Sequence, residues 1–389
     1  MGTPDDRASG YWDESNRELV ELIRQRIERV GRITFAQFME LVLYQPEHGY
    51  YQSGRPRAGR SGDFITAPEA DPLFGQAIAC QLEELWERLR HPETFTLREY
   101  GAGSGSLILG ICERLQLDRH PLLDRLCYQP IEINPARREE ISDRLAGIGL
   151  ARILSDQSEE PITGCVLANE FVDALPVHRI SRTEDGLLEC YVVWRDGWFQ
   201  DELGPLSTPA IAARLEAEAI ELRPGQTAEV CLESDAWMLE VSKKLARGYA
   251  LVIDYGYPAD ELYGERFPDG SLRAYYQHGV HDDPYRGVGY QDLTAHVDFT
   301  ALIRTAGQQG LATLGLTTQA NFLAGAGLGE LLVDLQSQPG MTSERYLAAR
   351  SAVYRMIDPG AMGRFRVLFL GRDLDGSGNV PLSGLTVTI

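Results

Sequence analysis

The chain has 389 residues, of which 43% are hydrophobic, and a formal net charge of −20 at pH 7. That length and apolar content support a full core and exclude a disordered or low-complexity chain. The charge opposes sequence-independent attraction to nucleic acid or to an anionic membrane. It fits a basic or arginine-bearing partner, or simply solubility.

The cysteines, Cys80, Cys112, Cys127, Cys165, Cys190 and Cys231, are widely spaced, with no C-x-x-C pair and no histidine cluster at metal-ligand spacing. A reduced, metal-free protein is expected. MGTPDDRASGYWDES has no basic stretch leading into an apolar one, and no apolar run approaches the ~20 residues that span a bilayer. The expectation is a soluble cytoplasmic protein without a membrane span.

Leu19, Val20, Leu22, Ile23, Ile27 and Val30 recur at helical spacing, and a second helix follows from Thr34 through ITFAQFMELVLY. A Gly/Pro/aromatic-rich loop containing SGDFITAPE then precedes a helix at about 72–89. From there the pattern alternates: strand TFTLREY, helix SLILGICERL, strand LCYQPIEI, helix ARREEISDRLAGI, and short strands ARILS and GCVLANE. Such alternation predicts a doubly wound α/β fold around a parallel sheet.

The alternation breaks at about 178–233, where LLECYVVWRDGWFQDEL reads as a hairpin turning at Asp196-Gly197, followed by a helix and the strand TAEVCLE. A helix from Asp235 and the strand YALVIDYG resume the core. A second Gly/Pro/Tyr-rich loop leads to DLTAHVDFTALIRTAG, read as helix, then LATLGLTT as strand, helices at about 319–336 and 343–357, and the closing strand RFRVLFLGRDL. The expected divisions are 1–71 (N-terminal helices and a cofactor-covering loop), 72–177 with 234–371 (core), 178–233 (insertion), 256–296 (substrate-side loop) and 372–389 (tail).

The strand TFTLREY runs directly into GAGSGS and a helix. Gly101, Gly103 and Gly105, with Ala102 between them, allow a tight turn and a close backbone approach to a ligand at a helix N-terminus. The loop reads E-x-G-x-G-x-G, the pattern of nucleotide-fold methyltransferases rather than of dinucleotide enzymes. Glu99 is expected at the methionine end of S-adenosyl-L-methionine, Glu132 at the ribose hydroxyls, and Asp156 at the adenine amino group.

NEFVDALPV ends the fourth strand, where catalytic groups of this fold gather. Glu170 and Asp173 could grip a guanidinium and accept its proton, with Asn169 beside them, although Asp173 could equally cap a short turn. Asp254, in the DYG that ends the fifth strand, is a candidate wall of the substrate pocket. His278, His296 and Asp298 are candidates for acid, base or positioning roles. In the early loop, Asp63, Thr66 and Glu69 could fold over the cofactor.

Together GDFITAPE, EYGAGSGSL, NEFVDALPV, DYGY, LRAYYQH…DLTAHVDF and MGRFRVL resemble the MidA-type methyltransferases of respiratory complex I assembly, from about Thr34 to Leu370. The resemblance implies a Rossmann-like class I methyltransferase core with a mostly parallel seven-stranded sheet, N-terminal helices and an inserted substrate-side subdomain. It also implies S-adenosyl-L-methionine as cofactor and, for the mitochondrial members, dimethylation of an arginine on a complex I subunit. Its carry-over is firmest for Glu99, Gly101, Gly103, Gly105 and Glu132, and weaker for Glu69, Asn169, Glu170 and Asp173. A bacterial member is expected, acting on an accessible protein arginine, with no nucleic-acid partner and with room for a homodimer. A small-molecule acceptor and a non-catalytic assembly role are the alternatives.

Overall fold

The computed structural model describes residues 10–53, 66–156, 159–276, 279–374 and 381–387. The chain divides into two compact units, one of residues 65–171, 238–255 and 303–389, the other of residues 1–64, 172–237 and 256–302.

The first unit carries the alternating core. In chain order it comprises α1 (Leu73–Arg88), β1 (Phe95–Tyr100), α2 (Ser106–Leu117), β2 (Leu126–Ile131), α3 (Pro135–Gly147) and β3 (Ile162–Asn169). After α4 (Glu233–Lys244) come β4 (Leu245–Asp254), α5 (Phe299–Gln308), β5 (Ala312–Thr318), α6 (Gln319–Gly325), α7 (Leu328–Gln336), α8 (Ser343–Ile357) and β6 (Arg366–Arg372). Helices α4 and α5 run across the division between the units.

The sheet order is β5-β6-β4-β3-β1-β2. Pairs β1–β2, β1–β3 and β3–β4 are parallel, and β6 is antiparallel to both of its neighbours. This is the Rossmann-like arrangement that the alternation predicts. Its strands are buried on both faces: Leu97, Cys165, Leu167, Leu251, Ile253, Val367 and Phe369 lie in one core cluster at the two-residue period of a strand, and the alternate residues Val166, Ala168, Ala250, Val252, Leu368 and Leu370 are buried too. Helices α1 and α2 cross backbone to backbone, since a Cβ on Gly75 would stand 2.8 Å from the Leu107 carbonyl and 2.9 Å from Gly110 Cα.

Three expectations need correction. ARILS is not a strand: Ala151–Ile153 is a 3-10 turn, and Leu154 forms an isolated bridge to Tyr128, so among the described residues the sheet has six strands and a single bridge where the seventh was expected. DLTAHVDF is not helical: Asp292–Thr294 and Val297–Asp298 are short strands, and α5 starts at Phe299, with Asp298 Oδ1 accepting from the Ala301 N–H at 3.1 Å. The helix expected at 319–336 is two helices, separated at Gly327, whose φ is +83°.

In the second unit the helix Arg17–Val30 is capped by Asn16, and Phe35–Tyr44 by a capping box of Thr34 and Gln37. The hairpin Gly186–Arg195 and Trp198–Gly204 turns at Asp196 (φ +52°) and Gly197 (φ +81°), as a two-residue primed turn requires. It shares a five-stranded sheet with Ile33–Thr34, His178–Thr183 and Thr227–Val230. Aromatic rings of Phe38, Trp198, Phe199 and Tyr285 interlock over it.

Candidate functional site

The carboxyl ends of β1 to β4 lie in one unit, and most of the singled-out residues gather there. Leaving β1, the chain turns through Gly101, Gly103 and Gly105 with φ of +69°, +56° and +77° before α2 begins. Gly105 must be glycine twice over, because a Cβ would also stand 2.9 Å from Ile141 Cγ1. At Gly103 only the backbone angle demands it, since the space beside it is open to 3.9 Å.

Glu132, just past β2, is fixed by backbone donors at both oxygens: Gly103 N–H at 3.0 Å and Asn134 N–H at 2.8 Å. Strand end and glycine loop are thereby tied together. Glu99 is 4% exposed and accepts from the Tyr128 hydroxyl at 2.6 Å. Burial pushes its carboxyl up to about 7; the Tyr128 bond pulls the other way and the neighbouring Glu132 carboxylate adds to the rise. Tyr128 is itself raised well above the tyrosine range by burial and by Glu99.

The loop is held from outside as well. Ser104 Oγ donates to Glu69 Oε1 at 2.8 Å, and Arg144 Nη1, on α3, donates to the Ser104 carbonyl at 2.7 Å. Thr66 precedes the helical turn Ala67–Ala70, and its side chain makes no capping bond. The Ala67 N–H reaches Glu170 Oε1 at 3.4 Å, so this one turn touches both the loop and the end of β3.

At the end of β3, Asn169 Nδ2 donates to Glu170 Oε1 at 3.2 Å, and Asn169 Oδ1 is a buried acceptor with no hydrogen-bond partner. Glu170 has φ of +50°, a left-handed conformation that costs a non-glycine residue of order 1–3 kcal/mol. Its N–H donates to the Ile253 carbonyl at 2.8 Å. Asp254, which ends β4, is fully buried and accepts from the Phe171 N–H at 3.2 Å and from the Tyr255 N–H at 2.9 Å.

The remaining singled-out residues lie on other segments of the chain. Asp156 is exposed and stands two residues past Leu154, whose isolated parallel bridge and the Ser155 N–H bond tie this segment to Tyr128 of β2. Asp173 belongs to the other unit, within the 3-10 turn Val172–Ala174, and its carbonyl accepts from the Ala295 N–H. His296 is in that unit too, its ring against Phe267 and Tyr257 and its N–H donating to Ser271 Oγ. So is Asp298, the cap of α5. Asp63 and His278 lie outside the described residues.

Sequence reasoning missed Tyr128, Ser104, Arg144 and Phe171. Of these only Ser104 carried a signal, by its place inside the glycine loop. Among the described residues no group of His, Cys, Asp or Glu could hold a metal ion, and no helix is long and apolar enough to cross a membrane. A left-handed glycine loop running into a helix N-terminus, flanked by two buried acids, instead fits a nucleoside cofactor with a cationic amino-acid end.

Comparison with known proteins agrees with that chemistry. Residues 77–317 match the model of a family described as S-adenosyl-L-methionine-dependent methyltransferases. The chain is 31% identical over 373 residues to the mitochondrial protein arginine methyltransferase NDUFAF7 of Rattus norvegicus, covering 87% of this chain and 82% of that protein. It is 29% identical to the Drosophila melanogaster homolog, covering 93% and 86%. A Burkholderia thailandensis crystal structure bound to S-adenosyl-homocysteine superposes with a TM-score of 0.86 at 31% identity, covering 99% of this chain and 97% of that one.

Proposed function

Because the chain belongs to the S-adenosyl-L-methionine-dependent methyltransferase family, we propose that the group it methylates is an arginine side chain on a protein partner. The observation that carries this reading is the end of β3, where the uncommitted acceptor Asn169 Oδ1 adjoins the carboxylate of Glu170. A guanidinium has five N–H donors and no acceptor, so a site offering an amide oxygen and a carboxylate suits it. The arginine methyltransferase names of the rat and fly relatives and the acidic net charge of −20 support the same class of acceptor.

The cofactor is S-adenosyl-L-methionine, which when bound supplies a methyl group on an electrophilic sulfonium and is left as the neutral thioether S-adenosyl-L-homocysteine when the carbon–sulfur bond breaks. Glu132 and the glycine loop would hold its nucleoside, and Glu99 would face its ammonium. Asn169 Oδ1 orients the acceptor nitrogen by accepting one of its N–H bonds. Glu170 holds the guanidinium and takes the proton that the nitrogen sheds as its new bond to carbon forms.

Incubating the protein with methyl-labelled cofactor and a lysate from a strain lacking it tests the proposal. A labelled protein band that yields methylarginine on amino-acid analysis is expected. Label confined to small molecules, or on another side chain, overturns the arginine assignment.

A further inference from the structure

Asp254 was expected at the wall of the substrate pocket, yet its side chain is fully buried and each oxygen accepts a backbone N–H, from Phe171 and Tyr255. The carboxylate therefore holds main chain. The segment it holds is unusual: Glu170 is left-handed at φ +50°, and its own N–H is bonded to the residue just before Asp254, at the Ile253 carbonyl. Two consecutive amides, of Glu170 and Phe171, are thus fastened to two consecutive residues at the end of β4.

The same turn reaches the cofactor loop. The Phe171 ring lies so close to Gly101 that a Cβ there would stand 3.0 Å from Phe171 Cδ2, and it sits 5.6 Å from the Tyr100 ring. Glu170 projects from one side of the pinned turn, toward Asn169 and the Ala67 amide. Phe171 projects from the other, onto the glycine loop.

We propose that Asp254 is a positioning residue for methyl transfer, whose paired bonds to the Phe171 and Tyr255 amides hold Glu170 in its left-handed conformation and seat Phe171 against Gly101. The proposal rests on the reading that Glu170 faces the methyl acceptor. No proton moves through Asp254. Its function is to fix, with one buried carboxylate, where the acceptor's carboxylate partner stands relative to the loop that binds the cofactor. A left-handed non-glycine residue persists only where its surroundings over-determine it, and these bonds do so.

The test is Asp254→Asn, an isosteric change that turns one of the two accepting oxygens into a donor facing an N–H, made alone and together with Glu170→Gln. Total incorporation of labelled methyl into lysate protein, whatever side chain receives it, gives turnover. Calorimetry with S-adenosyl-L-homocysteine gives cofactor-site affinity, and hydrogen exchange reads the Phe171 amide. Asp254→Asn is expected to cut turnover about ten- to a hundredfold through misplacement, to keep affinity within about twofold, and to speed exchange at Phe171.

In the Glu170→Gln background the same change should cost little further, because coupled residues are not additive. Equal losses in both backgrounds, or a loss of affinity that matches the loss of turnover, overturn the proposal in favour of a merely structural acid. Full turnover by Glu170→Gln alone overturns it together with the role of Glu170 given above. A labelled residue other than arginine overturns only the arginine assignment and leaves the Asp254 contrast standing.

Discussion

Two regions at the carboxyl ends of one sheet differ in what their polar groups leave over. At β1 and β2 the acids tie the chain together: Glu132 accepts the Gly103 and Asn134 N–H groups and Glu99 the Tyr128 hydroxyl, while the Gly101 and Gly105 N–H groups are bonded to the Ile131 and Ala102 carbonyls. At β3 and β4 the backbone donors are already used, by Asp254, by Ile253 and by Glu170 itself, and what is left over is an acceptor, Asn169 Oδ1. Under the function proposed above, the first region takes the cofactor and the second, through that acceptor, the donor-only guanidinium.

The contrast is broken most severely at the second region. Glu170→Gln keeps the shape but removes the charge, and methyl incorporation should fall about 10²-fold or more, while calorimetric affinity for S-adenosyl-L-homocysteine stays within about twofold. A matching loss of affinity would mean that the two regions are not separable.

Glu132→Ala probes the first region. It removes an acceptor of two backbone N–H groups, and charge-assisted bonds of this kind are worth about 1.5–3 kcal/mol each, so affinity for S-adenosyl-L-homocysteine should fall at least about tenfold, with the melting temperature also lowered. Unchanged affinity would place the nucleoside elsewhere.

A smaller effect is tied to pH. The Glu99 carboxyl is raised to about 7 by burial, so it is largely protonated below that pH and must ionise to face an ammonium. Affinity for S-adenosyl-L-homocysteine should therefore rise between about pH 6 and 8, by no more than about tenfold per unit, and Glu99→Gln should flatten the profile. The linkage for folding has the opposite sense: a carboxyl whose folded value lies above the unfolded one binds more protons when folded, so its contribution to stability is present at low pH and is lost as pH rises from about 4.5 to 7.

The smallest contrast lies within the loop. Gly103→Ala meets only the left-handed backbone and should cost about 1–2 kcal/mol, whereas Gly105→Ala adds the Ile141 clash and should lower the melting temperature further. Equal losses would show that packing around Ile141 yields freely.

The two regions also differ in how far they could be read from the sequence. The glycine loop is local: strand, loop and helix follow one another, and Glu99, Gly101, Gly103, Gly105 and Glu132 are singled out by spacing alone. The β3–β4 turn is built by contacts such as Phe171 to Asp254, 83 residues apart, and no spacing reports them. Tyr128 was hidden for the same reason, its hydroxyl meeting Glu99 across neighbouring strands. ARILS was misread because two apolar residues in a row suit a bridge and a 3-10 turn as well as a strand. DLTAHVDF held a usable signal: Asp298 before Phe299 is an N-cap, and it marks the true start of the helix.

The close crossing of α1 and α2 has its own consequence. With Gly75 and Gly110 in backbone contact, α2 can neither slide nor roll without collision, and α2 begins where the glycine loop ends. The loop is therefore moored at its downstream end before any ligand arrives, and the conformational entropy of shaping it is surrendered during folding rather than at binding. Binding at the cradle should accordingly proceed like a key entering a cut lock, with a heat-capacity change set by the ligand's own buried surface.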